Sequence, residues 1–199
     1  MKNSLESTLF DSEYDRSLSS TLTDILSESV LNITRLESFL LQLNLQSPHS
    51  SIFCYESRNT ANPRFMTRSN ETDPQYRIPR LHAIGLTILL TSPSIPCIFM
   101  GTEFFTETPF TETPSMLDFD FFSDSTSENY KWFTLSHDLI ELRKQYSLSQ
   151  AELSVMWVNS TSGLLTYSLM APEHSLYIIL NSSDQDYNQE YSSYQLAHE

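Results

Sequence analysis

The chain has 199 residues, 39% of them hydrophobic, and a formal net charge of −14, which allows one sizeable core or a compact unit with a small appendage. Only three glycines and no GxGxxG or GxxxxGK disfavour a phosphate-cradling loop, and the acidic balance repels nucleic acid and anionic lipid within the roughly 8 Å reach of charge in physiological salt. No run approaches the roughly 18 apolar residues of a membrane span, and Cys54 and Cys97 lie in apolar runs without CxxC or HxxxH spacing, which favours buried free thiols over a disulfide or a metal site.

The opening MKNSLESTLFDSEYD is polar where a signal peptide needs an apolar core, so residues 1–15 are expected as a solvated lead-in and the protein as cytoplasmic. Sequons at Asn32, Asn70, Asn159 and Asn181 are what a serine-rich chain produces by chance. From Leu18 to Leu45 apolar residues recur at helical spacing, predicting one broken helix or two short ones that end at Ser47 and Pro48. Ile52 to Tyr55 has the length and continuous apolarity of a parallel strand covered on both faces. Residues 56–78 are expected as a loop, and Pro79 as the first turn of a helix that stops before Pro93.

CIFMG at 97–101 is expected as a second buried strand, followed by an acidic, aromatic loop over 102–129. Trp132, Leu135, Leu139, Leu142 and Tyr146 then line one side of a helix whose other side carries Lys131, Asp138, Glu141 and Lys144. The alternation of helix and strand predicts an α/β fold with a parallel sheet. LSVMWV, LLTYSLM and SLYIIL change the period and predict an antiparallel meander, with a frayed tail over 181–199. The expected division is an α/β part over 1–150, with its helical lead-in at 16–46, and a small β domain over 151–199.

CYESRNTAN, LTSPSIPCIFMGTEF and DLIELRKQY, in that order, resemble the last third of the catalytic barrel in glycoside hydrolase family 13, most of all its α-glucan branching enzymes and trehalose-releasing hydrolases. The resemblance implies a partial β/α barrel of the TIM type, last strands and helices only, in which polar residues after each strand face a sugar cleft. It makes Glu56, Arg58, Asn59 and Glu103 the candidate substrate-binding residues, on an α-glucan such as glycogen or starch, with no cofactor and no metal. The missing N-terminal barrel part is a further expected partner.

The departures bear on activity. Arg58 stands where the family has His and Asn59 where it has Asp, and an amide carries no charge to stabilise a developing cation. A retaining glycosidase needs a carboxylate nucleophile and an acid about 5 to 5.5 Å apart. The segments that supply them in the family have no counterpart here, nothing in the spacing of Glu56, Glu103, Asp118 and Asp120 replaces them, and no catalytic residue is assigned. Ser94 and Thr102 are smaller departures.

The expectation is therefore a diverged fragment of an α-glucan hydrolase or transferase, a pseudoenzyme inactive alone. A non-catalytic module for α-glucan or protein binding is the alternative, and an unrelated α/β domain with a closed sheet stands behind both. Adjacent Ser136, His137 and Asp138 point in different directions along a helix and make no triad. His82 and His137 are expected in surface or capping roles, and the phenylalanines of 104–122 in half-buried loop packing rather than sugar stacking.

Overall fold

A computed structural model describes residues 12–28, 30–45, 50–61, 64–65, 74–111 and 116–183. Residues 1–11 of the lead-in, the sequon at Asn70 and the tail from 184 lie outside the described residues.

The fold is α/β. Three short strands, β1 (Glu13–Tyr14), β2 (Ser51–Phe53) and β3 (Ile95–Pro96), form a parallel sheet in the order β1-β2-β3. Its register sets Tyr14 opposite Ile52 and Ile52 opposite Ile95. β1 falls where a solvated lead-in was expected. Two residues are too few to show a period, and the strand is completed by its neighbour, with Asp15 N–H donating to Ile52 O at 2.7 Å.

Two helices cross from β1 to β2, as the spacing predicts: α1 (Arg16–Leu26) and α2 (Ile33–Leu45). Asp15 caps α1 by accepting from Leu18 N–H at 2.8 Å, and the Asn32 side chain accepts from Arg35 N–H at 3.1 Å at the start of α2. Leu18, Leu22, Ile25 and Leu26 of α1 and Leu36, Phe39, Leu40 and Leu43 of α2 are buried together.

Three predicted boundaries are corrected. Helix α3 runs Pro74–Thr91, so Pro79 lies inside it rather than at its first turn. The helix forgoes the bond a residue at 79 would make to the carbonyl four back, and the expected loop is shorter by its C-terminal end. CIFMG is not a buried strand: pairing covers Ile95–Pro96, and the ladder ends with Cys97 N–H donating to Phe53 O at 2.9 Å. Beyond it the chain turns, with Thr102 N–H on Phe99 O at 2.9 Å and Gly101 at φ +89°, and Cys97 and Met100 are exposed. Cys54 alone is the buried thiol. Finally, Asn181 belongs to a strand rather than a frayed tail, and Ser182 N–H donates to Gly163 O at 2.8 Å.

α4 (Glu128–Gln145) is capped by Ser127, which accepts from Tyr130 N–H at 3.2 Å. Near its other end Arg143 reaches the carbonyls of Leu90, Ser92 and Ser94, satisfying groups that the end of α3 leaves open. Burial lowers the pKa of its guanidinium. The meander then forms as expected: β4 (Glu152–Asn159), β5 (Leu164–Met170) and β6 (Ser175–Asn181), antiparallel in that order. Asn159 accepts from Thr161 and Ser162 N–H, and Gly163 at φ +68° closes the first hairpin. α2 packs against β4, and one cluster of buried side chains runs from Leu18 through Phe53 and Leu89 to Leu153, Leu165 and Leu180.

Candidate functional site

The stretch after β2 is held from beneath. Cys54, Tyr55 and Glu56 stay buried after pairing ends, and Thr23 of α1 donates its hydroxyl to Tyr55 O. Glu56, 4% exposed, accepts from Phe65 N–H at 2.7 Å, from the Thr102 hydroxyl at 2.8 Å and from Arg64 Nη1 at 3.3 Å. Arg64, 1% exposed, also donates to Thr108 O and Met100 O, both at 2.8 Å, and lies 5.2 Å above the Phe99 ring. This buried ion pair ties the β2 end, the following loop and the turn after β3 into one unit. A charge pair buried this deeply needs the full set of hydrogen bonds it has here.

The chain then surfaces. Ser57 N–H bonds to the Thr60 hydroxyl at 2.7 Å, and Thr60 and Ala61 N–H donate to Ser57 O at 2.9 and 2.8 Å. This tight turn carries Arg58 and Asn59 outward, and both are exposed. They line a cavity of about 400 Å³ with Tyr14, Arg16, Ser19 and Cys54. Its volume falls within the roughly 300–1,000 Å³ of small-ligand sites. Burial raises the Cys54 thiol pKa against an opposing hydrogen bond from Tyr14, and so favours the neutral thiol.

Glu103 sits on a 3-10 turn, Thr102–Phe104, and its backbone carbonyl accepts from the Ser136 hydroxyl at 2.9 Å. Its Oε2 is buried with no hydrogen-bond partner among the described residues. Of the four predicted site residues, Arg58 and Asn59 share a cavity, Glu56 lies below them in the Arg64 network, and Glu103 follows Thr102 of that network.

Behind the site His82 corrects an expectation. It is neither on the surface nor a cap: it is 1% exposed, with Nδ1 against the Tyr55 hydroxyl and Nε2 buried without a partner among the described residues. Its ring packs on Phe105 and Trp132 at centroid distances of 4.3 and 5.1 Å. Burial pushes its pKa down to about 3, so it is neutral, and Nδ1 accepts the Tyr55 proton when Nε2 carries its own. Burial, then the charge of Glu56, raises the Tyr55 phenol well above its usual range.

A second cavity, about 580 Å³, is lined by Phe104, Phe105, Phe121 and Trp132, with Glu107, Asp118 and Glu128 among its polar residues. The loop aromatics pack on one another, Phe104 on Phe121 at 4.8 Å and Phe121 on Phe122 at 4.4 Å. Exposed His137 meets its neighbour Asp138 at 3.2 Å, while Ser136 turns to Glu103 O, so the three form no triad. Among the described residues no three His, Cys, Asp or Glu side chains are placed to hold a metal ion, and no helix is long and apolar enough to cross a membrane.

Arg64 and Thr102 are the site residues that sequence reasoning missed as partners. Thr102 is visible only as a departure from a motif, and nothing in the spacing of Arg64 announces that its charge is buried.

No protein-family model and no curated protein sequence matches the chain. Solved structures do match in fold. A cyclomaltodextrin glucanotransferase with a three-domain ABC distribution aligns over 84% of this chain and 32% of its own, with 19% identity and a TM-score of 0.65. A debranching enzyme from Nostoc punctiforme aligns over 87% of this chain and 37% of its own, with 16% identity and a TM-score of 0.66. A gamma-cyclodextrin glucanotransferase from alkalophilic Bacillus clarkii aligns over 86% and 24%, with 20% identity and a TM-score of 0.62. The chain thus spans between about a quarter and two fifths of the structures it resembles.

Proposed function

We propose that the chain is a diverged relative of the C-terminal part of a glycoside hydrolase family 13 enzyme and binds an α-glucan without cleaving it. β2 and β3 take the place of the last two strands of the barrel, residues 1–150 the partial barrel and 151–199 the small β domain that follows it. The observation that carries this reading is a coincidence of two independent signals. CYESRNTAN and MGTEF, the segments whose wording resembles that family, close on each other through Glu56, Arg64 and Thr102 in a fold like that of a glucanotransferase and a debranching enzyme.

In this reading Arg58 and Asn59 contact sugar hydroxyls from the exposed turn, while Glu56 supports that turn from outside the cavity through its network with Arg64 and Thr102, and Glu103 follows on the adjoining turn. The chemistry available there is hydrogen bonding. The cavity beside Arg58 has no carboxylate among its described lining residues, which supports binding without cleavage. Branching, debranching and trehalose release are ancestral specificities that this site does not distinguish.

Affinity electrophoresis through gels containing glycogen or amylose tests the reading, with chromatography of the glucan after long incubation. Retarded migration, reduced in Asn59→Ala, with an unchanged glucan is the expected result. Unretarded migration together with pull-down of an N-terminal barrel fragment supports the protein-interaction alternative, and new chain ends or branches contradict the inactive reading.

A further inference from the structure

Charge is distributed over the two cavities in opposite senses. With 25 Asp and Glu against 11 Lys and Arg, an unselected patch of this surface is acidic. The aromatic cavity follows that rule, with Glu107, Asp118 and Glu128 and no basic residue among its described lining. The cavity beside β2 reverses it: Arg16 and Arg58 line it, with no carboxylate among the described lining residues.

Neither arginine has a hydrogen bond or ion pair with any described residue, and both are exposed. Two acids close to them in sequence, Asp15 and Glu56, are already engaged. Asp15 caps α1 through Leu18 N–H, and Glu56 is held by Arg64, Thr102 and Phe65. The hydroxyl protons of α1 around the cavity are also committed, Ser19 to Asp15 O at 2.9 Å, Ser20 to Ser17 O at 3.1 Å and Thr23 shared between Tyr55 O and Ser19 O. Beside the Tyr14 hydroxyl and Cys54 thiol, and the Ser57 and Thr60 hydroxyls, which pair with one another, the cavity offers two guanidiniums, which can only donate, and the amide of Asn59.

A guanidinium is a planar fork that can hold an oxyanion by two parallel bonds, and a phosphate monoester carries about −1.5 to −2 charge at neutral pH, so a cavity with two of them favours such an anion. A neutral sugar leaves both charges unanswered. Resting on the sugar-binding reading above, we infer that the cavity takes a phosphorylated saccharide, with Arg16 and Arg58 on the phosphate and Asn59 on the ring hydroxyls. The replacement of a histidine by Arg58 and of an acid by Asn59, seen as a loss when read against the motif, then extends the site from neutral sugars to phosphorylated ones, which it binds more tightly.

Ligand titration of the whole chain, followed by nuclear magnetic resonance, compares glucose 6-phosphate, glucose and inorganic phosphate. Glucose 6-phosphate is expected to bind about tenfold or more tightly than either of the others, given the strength of charge-assisted hydrogen bonds. Arg16→Ala and Arg58→Ala each remove about tenfold of that affinity, Arg58→Lys keeps part of it, and none shifts the thermal midpoint, since both side chains are exposed. Equal affinity for glucose and glucose 6-phosphate overturns the inference and leaves the sugar reading in place. Inorganic phosphate binding as tightly as glucose 6-phosphate overturns the inference, because the sugar then adds nothing, while the glucan reading stands or falls with the electrophoresis. Undiminished glucose 6-phosphate binding in the two alanine variants places the anion elsewhere and overturns it as well.

Discussion

His82 offers a prediction whose size follows from its burial. In the folded chain its pKa is about 3, against about 6.5 in an unfolded one, because the ring is enclosed by Tyr55, Phe105 and Trp132. Between those values the unfolded state binds a proton that the folded state refuses, so stability falls as pH falls. Its contribution is intact above about pH 6.5 and lost progressively below it, on the order of 3 kcal/mol by pH 4.5. His82→Phe keeps the ring packing and removes the titration, but leaves the Tyr55 hydroxyl without its partner, at about 1–3 kcal/mol. Urea unfolding at pH 7.5, 6 and 4.5 is the assay. The variant is expected to be less stable at pH 7.5 and to recover on the order of 3 kcal/mol against the natural chain by pH 4.5. A difference that stays constant from pH 7.5 to 4.5 refutes the reasoning, because carboxylates common to both chains cancel in the comparison.

Three further predictions concern the scaffold. Arg64→Met leaves Glu56 buried and short of its cation, and is expected to cost about 3–5 kcal/mol by chemical unfolding, far more than loss of an exposed pair. Gly101→Ala places a methyl against Thr106 at φ +89° and is expected to destabilise by about 1–3 kcal/mol, measured by thermal unfolding. A thiol reagent is expected to modify exposed Cys97 within minutes and Cys54 only on unfolding, as peptide mapping of labelled chains will report.

The long elements were legible in the sequence because their period is long enough to read. Leu18 to Leu26, Leu36 to Leu43 and the Trp132 to Tyr146 stripe each repeat over several turns, and the alternation in β4 to β6 is bounded by turn residues. The parallel sheet was legible in kind but not in extent. Its strands are two or three residues long, too short to carry a pattern, and Glu13–Tyr14 becomes a strand only because Ser51 and Ile52 lie beside it. CIFMG misled because an apolar run has the same composition whether it is buried in a strand or turning at Gly101.

The site shows the same division. Glu56, Arg58, Asn59 and Glu103 could be named from wording that resembles a family motif, whereas the partner that fixes Glu56 could not. Arg64 lies in the NPRFM segment, within a stretch whose prolines, asparagines and charges predict a loop, yet its side chain is among the most deeply buried of the described residues. Histidine on a helix was read as a surface residue, and His82 shows the limit of that rule: its helix is apolar on most sides.

The most direct test of the account is to watch the backbone of the isotope-labelled chain by nuclear magnetic resonance while maltoheptaose is added. Saturable shifts centred on Ser57 to Thr60 and Arg16, abolished together by Asn59→Ala and accompanied by no shortening of the sugar, are the predicted result. Shifts gathered instead around Phe105 and Trp132, or none at millimolar sugar, contradict it.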